Sequence, residues 1–562
     1  MRNSMSDIAS AYARLIEANW PAQLPREPFY PIGKAPLPAY LRHWAKLRPE
    51  APAIFFYGTT ISWQELDQLS DRLATRLARE GIKPGDRVAL CLPNCPQYTI
   101  SYLGILKAGG IVVPVNPLVK AMEFAHYLHD SGASALIVQD RLFEIAAVAG
   151  PPACVFVTSL CDFLPRTPAY AIPPGLDAAR LAPAGTRDLL ETLRAETVAP
   201  PNPGLGWDSI AALNYTGGTT GLPKGCVHTQ GDKVYTAACG NTFLTIGGGD
   251  APMLNFLPMF WIAGEDGGLL MPLVAGRAVV LLTRWDPGAA LAAIAHHRVS
   301  TVHLLADSAV DLLDHTDATR TDLSSLRDVT VSSLMKVLDP SLRAQFRALT
   351  GCILREAAYG MTETNTMDTF TYGFQDNDRD LAADPVFVGL PMPDTAFRIT
   401  DFTTGADLPL GEAGEIRIRS PSLLKSYWNK PEASAAALGD GWLHSGDIGR
   451  IDEWGCLHYL GRRKEMLKVN GMSVFPTEIE MLLARHPAIA ASGVVGRADA
   501  KRGEVPVAFV RLVAGAAVSA DDITAWCRDN MATYKVPEIR LVDALPMTAT
   551  GKVKRVDLTK LL

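Results

Sequence analysis

The segment Tyr215-Thr216-Gly217-Gly218-Thr219-Thr220-Gly221-Leu222-Pro223-Lys224-Gly225 combines hydroxyl donors, flexible glycines and one ammonium group. Glycines let successive backbone N–H groups turn toward one anion, the threonines add hydrogen bonds, and Lys224 adds a full charge. Together they suit a polyphosphate, although a surface glycine turn would share much of the composition. This is not a Walker A loop, because Pro223 precedes the lysine and Gly225 follows it where Ser or Thr is required. Further on, Tyr359-Gly360-Met361-Thr362-Glu363-Thr364 sets an aromatic face, hydroxyls and a carboxylate close together. The ring can stack on a base, a hydroxyl can donate to a phosphate oxygen, and Glu363 can hold magnesium. Alone, the segment equally describes a strand-end turn with a solvated glutamate. In Gly446-Asp447 the aspartate can accept both hydroxyls of a ribose, or simply close a β-turn. The basic run Arg462 to Lys468 follows, readable also as an exposed hairpin face, and Thr550-Gly551-Lys552 ends the series with a lysine that alone reads as a solvated charge.

The elements around these segments read as α/β. Leu66, Leu69, Leu73 and Leu77 recur three or four apart and predict a helix over 64–79, followed by a Pro84-Gly85-Asp86 turn and a buried strand over 87–92. A helix over 98–107, a Gly109-Gly110 break and a strand over 111–115 repeat the pattern, which implies a mostly parallel sheet with helices on its faces. Strands are expected over 278–282 and 301–305. The Pro-, Ala- and Gly-rich stretch 165–203 reads as a surface excursion. From Gly414 the alternation Glu415-Ile416-Arg417-Ile418-Arg419 predicts an antiparallel sheet or small barrel. The last hundred residues mix helices (476–485, 520–531) with strands (505–512, 538–542), a small unit able to move as one body.

Fifty-three Lys and Arg face fifty-nine Asp and Glu, a formal net charge of −6, which argues against a nucleic-acid partner. Nine scattered cysteines show no C-x-x-C spacing and read as reduced thiols. The first twenty residues lack the apolar core of a secretory signal, and the longest apolar runs are interrupted by Lys107 and Arg277. A soluble, cytoplasmic protein without a transmembrane segment is expected, with peripheral membrane contact left open.

Taken in order, these segments resemble the adenylate-forming superfamily of acyl-CoA synthetases, peptide-synthetase adenylation domains and luciferases. The stretch from Leu106 to Pro117 is similar to its first core motif, and Gly411 to Ile416 followed by Tyr427 to Glu432 also matches. The resemblance covers nearly the whole chain. It implies a large N-terminal α/β adenylation domain of several subdomains over 1–461, with parallel sheets and a small β-barrel. A hinge over 462–468 and a mobile α+β lid over 469–562 would follow. It also implies an acid–CoA ligase using ATP, Mg²⁺ and coenzyme A: a carboxylate attacks the α-phosphate to give acyl-AMP and pyrophosphate, and a thiol then displaces AMP. By the same resemblance Lys552 bridges the carboxylate and α-phosphate, and Thr216 to Lys224 hold the departing phosphates. Thr362 would contact the α-phosphate, Glu363 the magnesium, Tyr359 with Gly360 the adenine, and Asp447 with Arg462 the ribose. Lys464 would be the hinge, and Gly471 would line the pantetheine tunnel.

Three departures concern the acid. Trp261 stands where the family usually carries histidine, and Glu265 and Asp266 stand where an apolar residue is common. Ser332-Ser333-Leu334-Met335-Lys336 replaces a glycine-rich turn of the acyl channel. Trp261, Leu334 and Met335 are therefore expected to shape the acyl pocket, while the two acids either contribute to it or merely face solvent or cap the next helix. An apolar acid is expected, fatty or of medium size and cyclic or aromatic. Loading of a stand-alone carrier protein and a non-catalytic nucleotide-binding role are the alternatives, and a monomer and a homodimer are both compatible with the sequence.

Overall fold

A computed structural model describes residues 2–195, 200–216, 222–333, 336–382, 386–470, 472–499, 501–548 and 552–562, and the side chains of these apart from 2–7 and 473. The helix foreseen over 64–79 runs Trp63–Arg79 and starts on a capping box in which Ser62 and Glu65 satisfy each other's backbone N–H groups. Its leucine stripe packs on the helix Pro96–Lys107, every residue of which is buried. The lysine that ends this second helix is buried too, and its ammonium ion-pairs with Asp67 and Asp71 of the first.

These helices lie in the core shared by two seven-stranded sheets. In one, the order is Arg187–Asp188, Cys154–Thr158, Ala133–Gln139, Arg87–Cys91, Ile111–Pro114, Ile210–Tyr215 and Gly225–Thr229. All its pairings are parallel except the last. The excursion over 165–203 thus rejoins the sheet through Arg187–Asp188 as an edge strand. The other sheet runs Leu354–Glu356, Asp328–Ser332, Thr301–Leu305, Met253–Asn255, Val279–Leu281, Pro52–Phe56 and Thr59–Ser62, again parallel but for its final hairpin. Inner strands such as Ile111–Pro114 and Val279–Leu281 read as continuous apolar runs because both faces are covered.

The small barrel expected after these sheets is a six-stranded antiparallel sheet, ordered Thr369–Phe370, Val386–Pro391, Leu457–Arg462, Leu443–Ile451, Gly414–Arg419 and Ala396–Thr400. The single turn Arg463–Glu465 leads from it into a five-stranded sheet whose longest pair is Ile489–Asp499 with Gly503–Leu512. The helices Pro476–Ala484 and Ala520–Asn530 cover one face of that pair through Ile479, Leu483, Ile523 and Cys527, and Leu545 with Leu558 cover the other. This last unit therefore has a core of its own. Among the described residues no helix is long and apolar enough to cross a membrane.

Candidate active site

The phosphate-loop segment joins the two antiparallel strands Ile210–Tyr215 and Gly225–Thr229, so its ends are forced together. The Thr216 N–H donates to the Lys224 carbonyl (3.0 Å), and the Lys224 N–H donates to Thr216 Oγ1 (3.3 Å). Gly217, Gly218, Thr219, Thr220 and Gly221 lie outside the described residues. The segment 425–428 runs beside the exit strand through Lys425 N–H to Val227 O and Trp428 N–H to Gly225 O. This brings the ring of Tyr427 to 4.0 Å from Lys224 Nζ. The Tyr427 hydroxyl donates to Glu363 Oε1 at 2.9 Å, so the loop lysine and the carboxylate are neighbours across one ring. Glu363 sits in the single turn Thr362–Thr364, which is tethered by the buried His228: its Nε2 donates to the Thr362 carbonyl at 2.7 Å. Burial holds the His228 pKa below the usual histidine value, keeping the ring neutral. Among the described residues no group of three or more His, Cys, Asp or Glu is arranged to hold a metal. A lone carboxylate such as Glu363 suits magnesium, which commonly binds one or two carboxylates together with substrate phosphates and water.

Asp447 and Arg462 are directly opposite on paired strands. Arg462 Nε lies 2.9 Å from Asp447 Oδ1, and the Tyr359 hydroxyl donates to Oδ2 at 2.8 Å. Burial raises the Asp447 pKa, and Arg462, the Tyr359 hydroxyl and Lys552 oppose that rise. Asp447 Oδ1 is buried and faces the Arg462 guanidinium without an aligned hydrogen bond, so it keeps lone-pair capacity for a ligand hydroxyl. Gly360 is held against the backbone of Thr366 and Met367, which with Asn365 form three successive non-glycine residues at φ 56, 59 and 56°. A Cβ at Gly360 would fall 2.5 Å from Met367 N. Gly360→Ala is therefore expected to destabilise the fold by about 1–3 kcal/mol and to weaken AMP binding in calorimetric titration. An unchanged AMP affinity would refute the link between this contact and the nucleotide.

Lys552 is bracketed by Thr548, whose N–H donates to the Lys552 carbonyl (2.7 Å) while its Oγ1 accepts from the Lys552 N–H (3.0 Å). Residues 549–551 of that motif lie outside the described residues. Desolvation lowers the Lys552 pKa, Arg462 and Arg555 lower it further, and Asp447 and Glu465 oppose them. The ammonium thus sits in the field of the Asp447–Arg462 pair although it belongs to the C-terminal unit. Arg555 pins that arrangement, pairing with Glu465 of the connecting turn (2.5 Å) and with Glu480 (2.6 Å). Lys464 lies in the same turn, Arg463–Glu465. Gly471 lies outside the described residues.

Beside the Thr362 turn, a cavity of about 100 Å³ opens at the ends of the second parallel sheet. Leu244, Met253, Leu254, Leu257, Met271 and Met367 supply apolar wall, and Thr245, Thr301, His303, Thr330 and Ser332 supply polar atoms. Trp261 caps the short helix Ile262–Glu265, is half-buried, and does not line this cavity; Ala263 and Gly267 do. Leu334 and Met335 lie outside the described residues.

A family model described as "AMP-binding enzyme" matches residues 41–428, and "AMP-binding enzyme C-terminal domain" matches 478–552. The chain belongs to the AMP-binding enzyme family. It is an enzyme of the AMP-forming acyl-CoA synthetase class, with the adenylate-forming fold. It is 33% identical over 555 residues to a long-chain-fatty-acid–CoA ligase of Bacillus subtilis, covering 96% of each chain. It is also 33% identical to a feruloyl-CoA synthase of Amycolatopsis over 91% of this chain and 95% of that one. Among solved structures, an anthranilate CoA ligase in complex with anthranoyl-AMP superposes with a TM-score of 0.80 at 26% identity, over 94% of this chain and 97% of that one.

This AMP-binding enzyme also holds what its sequence hid. Glu265 and Asp266 do not face solvent, and neither side chain makes a capping hydrogen bond; both are fully buried. Glu265 Oε1 accepts from Lys233 Nζ (2.7 Å) and the Tyr102 hydroxyl (2.8 Å), and its Oε2 accepts from Asn214 Nδ2 (2.8 Å). Lys233 Nζ also donates to Asn214 Oδ1 at 2.8 Å. Burial raises the Asp266 pKa well above the carboxylate range, and neither of its oxygens has a protein partner among the described residues. Lys233, Tyr102, His228 and His303 carried no motif signal. Tyr427 stood within a matched segment, but nothing there pointed to its contact with Glu363.

Proposed function

We propose that this enzyme activates a compact carboxylic acid, cyclic or aromatic, with ATP and transfers the acyl group to coenzyme A. The observation that carries the choice of acid is the cavity of about 100 Å³, smaller than the roughly 150 Å³ known to hold benzene but of the same order, and far too small for a long acyl chain. Relatives named feruloyl-CoA synthase and 4-coumarate–CoA ligase, and solved neighbours named anthranilate and benzoate CoA ligases, support the same reading.

In the first step the carboxylate oxygen attacks the α-phosphorus of ATP, the bond to the β-phosphate bridging oxygen breaks, and pyrophosphate leaves with that electron pair. Two anions must meet, so cationic groups near the reacting atoms lower the barrier. Lys552 would lie between carboxylate and α-phosphate, the Thr216–Lys224 loop would hold the departing phosphates, and Thr362 would donate to the α-phosphate. Glu363 would hold a magnesium ion, which supplies charge neutralisation on the phosphates. Asp447 and Arg462 would take the ribose, and Tyr359 with Gly360 the adenine. In the second step the thiolate sulfur of coenzyme A attacks the acyl carbon and AMP leaves. For that, the lid over 469–562 would turn about the hinge 462–468 at Lys464, withdrawing Lys552 and presenting the Gly471 loop to the pantetheine arm. Trp261, Leu334 and Met335 would border the acyl entrance.

The test is pyrophosphate release across a panel of acids, followed by thioester formation with free coenzyme A. Aromatic and cyclic acids are expected to exceed long-chain fatty acids by about tenfold or more in kcat/KM, the equivalent of at least 1.4 kcal/mol. Preference for long-chain acids would overturn the choice of substrate, and adenylation without transfer to coenzyme A would point to a carrier-protein thiol instead.

A further inference from the structure

We propose that His303, with Thr330 and Ser332, is a specificity-determining device that selects acids bearing a hydroxyl or comparable hydrogen-bonding substituent on the ring. This inference rests on the acid–CoA ligase reading and names the substrate class within it.

The strand register sets the geometry. Thr330 lies opposite His303, and Ser332 lies two residues further along the same strand, on the same face and roughly 6.6 Å away. The imidazole spans that gap: Nδ1 is 2.8 Å from Thr330 Oγ1 and Nε2 is 3.1 Å from Ser332 Oγ. All three residues line the cavity. Its strand lies inside the sheet, and the half-buried His303 side chain forms part of the cavity wall. Burial depresses its pKa to about 4, so the ring is neutral and carries one N–H.

Counting protons gives the function. If Nδ1 carries the hydrogen, it donates to Thr330 and Ser332 must donate to Nε2. Thr330 then keeps its own O–H for another acceptor. If Nε2 carries the hydrogen, the roles exchange and Ser332 keeps the spare O–H. Either tautomer leaves one donor hydrogen and lone pairs on both hydroxyls at the wall of a cavity that Leu244, Leu254 and Leu257 also line. A substituent that both donates and accepts satisfies this set, and the tautomer follows whichever hydroxyl it meets. A plain hydrocarbon ring desolvates the set and returns nothing, a cost of about 10- to 100-fold in affinity.

The experiment compares matched pairs of aromatic acids, each with and without a ring hydroxyl, by pyrophosphate release in wild-type enzyme and in His303→Phe. Wild type is expected to favour the hydroxylated member by about 10- to 100-fold in kcat/KM, carried mainly by KM. In H303F that ratio should fall toward one while the unsubstituted acid is still adenylated. Thr330→Val and Ser332→Ala, made separately, should each narrow the ratio, and they decide the matter should H303F not fold. Equal use of both members by wild type, or a ratio unmoved by all three substitutions, overturns the inference while leaving the ligase reading intact. Failure of every acid to release pyrophosphate would instead overturn the ligase reading itself, and this inference with it.

Discussion

Replacing Lys552 by alanine is expected to slow acyl-adenylate formation by about a thousandfold while leaving thioester formation from supplied acyl-AMP largely intact. A unit charge about 4 Å from an anion, at an effective dielectric constant of about 20, contributes about 4 kcal/mol. At about 1.36 kcal/mol per decade that is roughly three decades of rate. The lysine stands in the field of Asp447 and Arg462 in this arrangement of the two units, so its loss falls on the half-reaction that needs them together. A pH dependence follows. Desolvation, with Arg462 and Arg555, holds the Lys552 pKa below that of an ordinary lysine, so the active ammonium is lost as pH rises and is lost earlier than for a free side chain. Pyrophosphate release should therefore show an alkaline limb that thioester formation from acyl-AMP lacks. Stopped-flow measurement of the two half-reactions separately is the check, and equal losses in both would refute the assignment of Lys552 to the first.

The second large effect concerns stability. Lys233→Met leaves the buried Glu265 carboxyl without its cation and with only Asn214 and Tyr102 as donors. Breaking one partner out of a fully buried ion pair costs about 3–5 kcal/mol. The double variant Lys233→Met/Glu265→Leu removes both charges and should recover at least half of that loss, because the desolvation penalty disappears along with the attraction. Urea unfolding followed through the first transition would measure both. A double variant less stable than the single one would mean that the pair itself is a net stabiliser. The cluster has a further consequence for the site. Asn214 lies two residues before Thr216, and Glu265 lies between Ala263 and Gly267 of the cavity wall, so the cluster links the glycine–threonine segment to that wall.

Local features were legible without coordinates. The leucine spacing after Ser62 announced the helix Trp63–Arg79, and the strand foreseen over 301–305 is Thr301–Leu305 itself. The alternation at Glu415–Arg419 announced the strand Gly414–Arg419. Each depends on contacts between residues close in the chain, which periodicity records. The glycine–threonine loop, the Glu363 turn and the lysine near the C-terminus were recognisable for a related reason: their chemistry lies in residue type and short spacing.

What lay hidden depends on residues far apart. Nothing near Lys233 announces that its partner is Glu265, and the sequence left a pocket role and a solvent or capping role open for the two acids. Tyr427 reaches Glu363 only because its segment lies along the strand leaving the phosphate loop. His303 faces a cavity because its strand pairs with Asp328–Ser332, a register no local pattern encodes. The sequence by itself determined the family, the α/β class and the nucleotide chemistry, since these reside in short segments whose composition is their function. Only the tertiary structure decided the size and polarity of the cavity around His303 and the burial of Glu265 and Asp266. Both arise where strands and helices distant in the chain close around a common interior, and there the cost of desolvation, set by everything that surrounds a side chain, governs what each group can do.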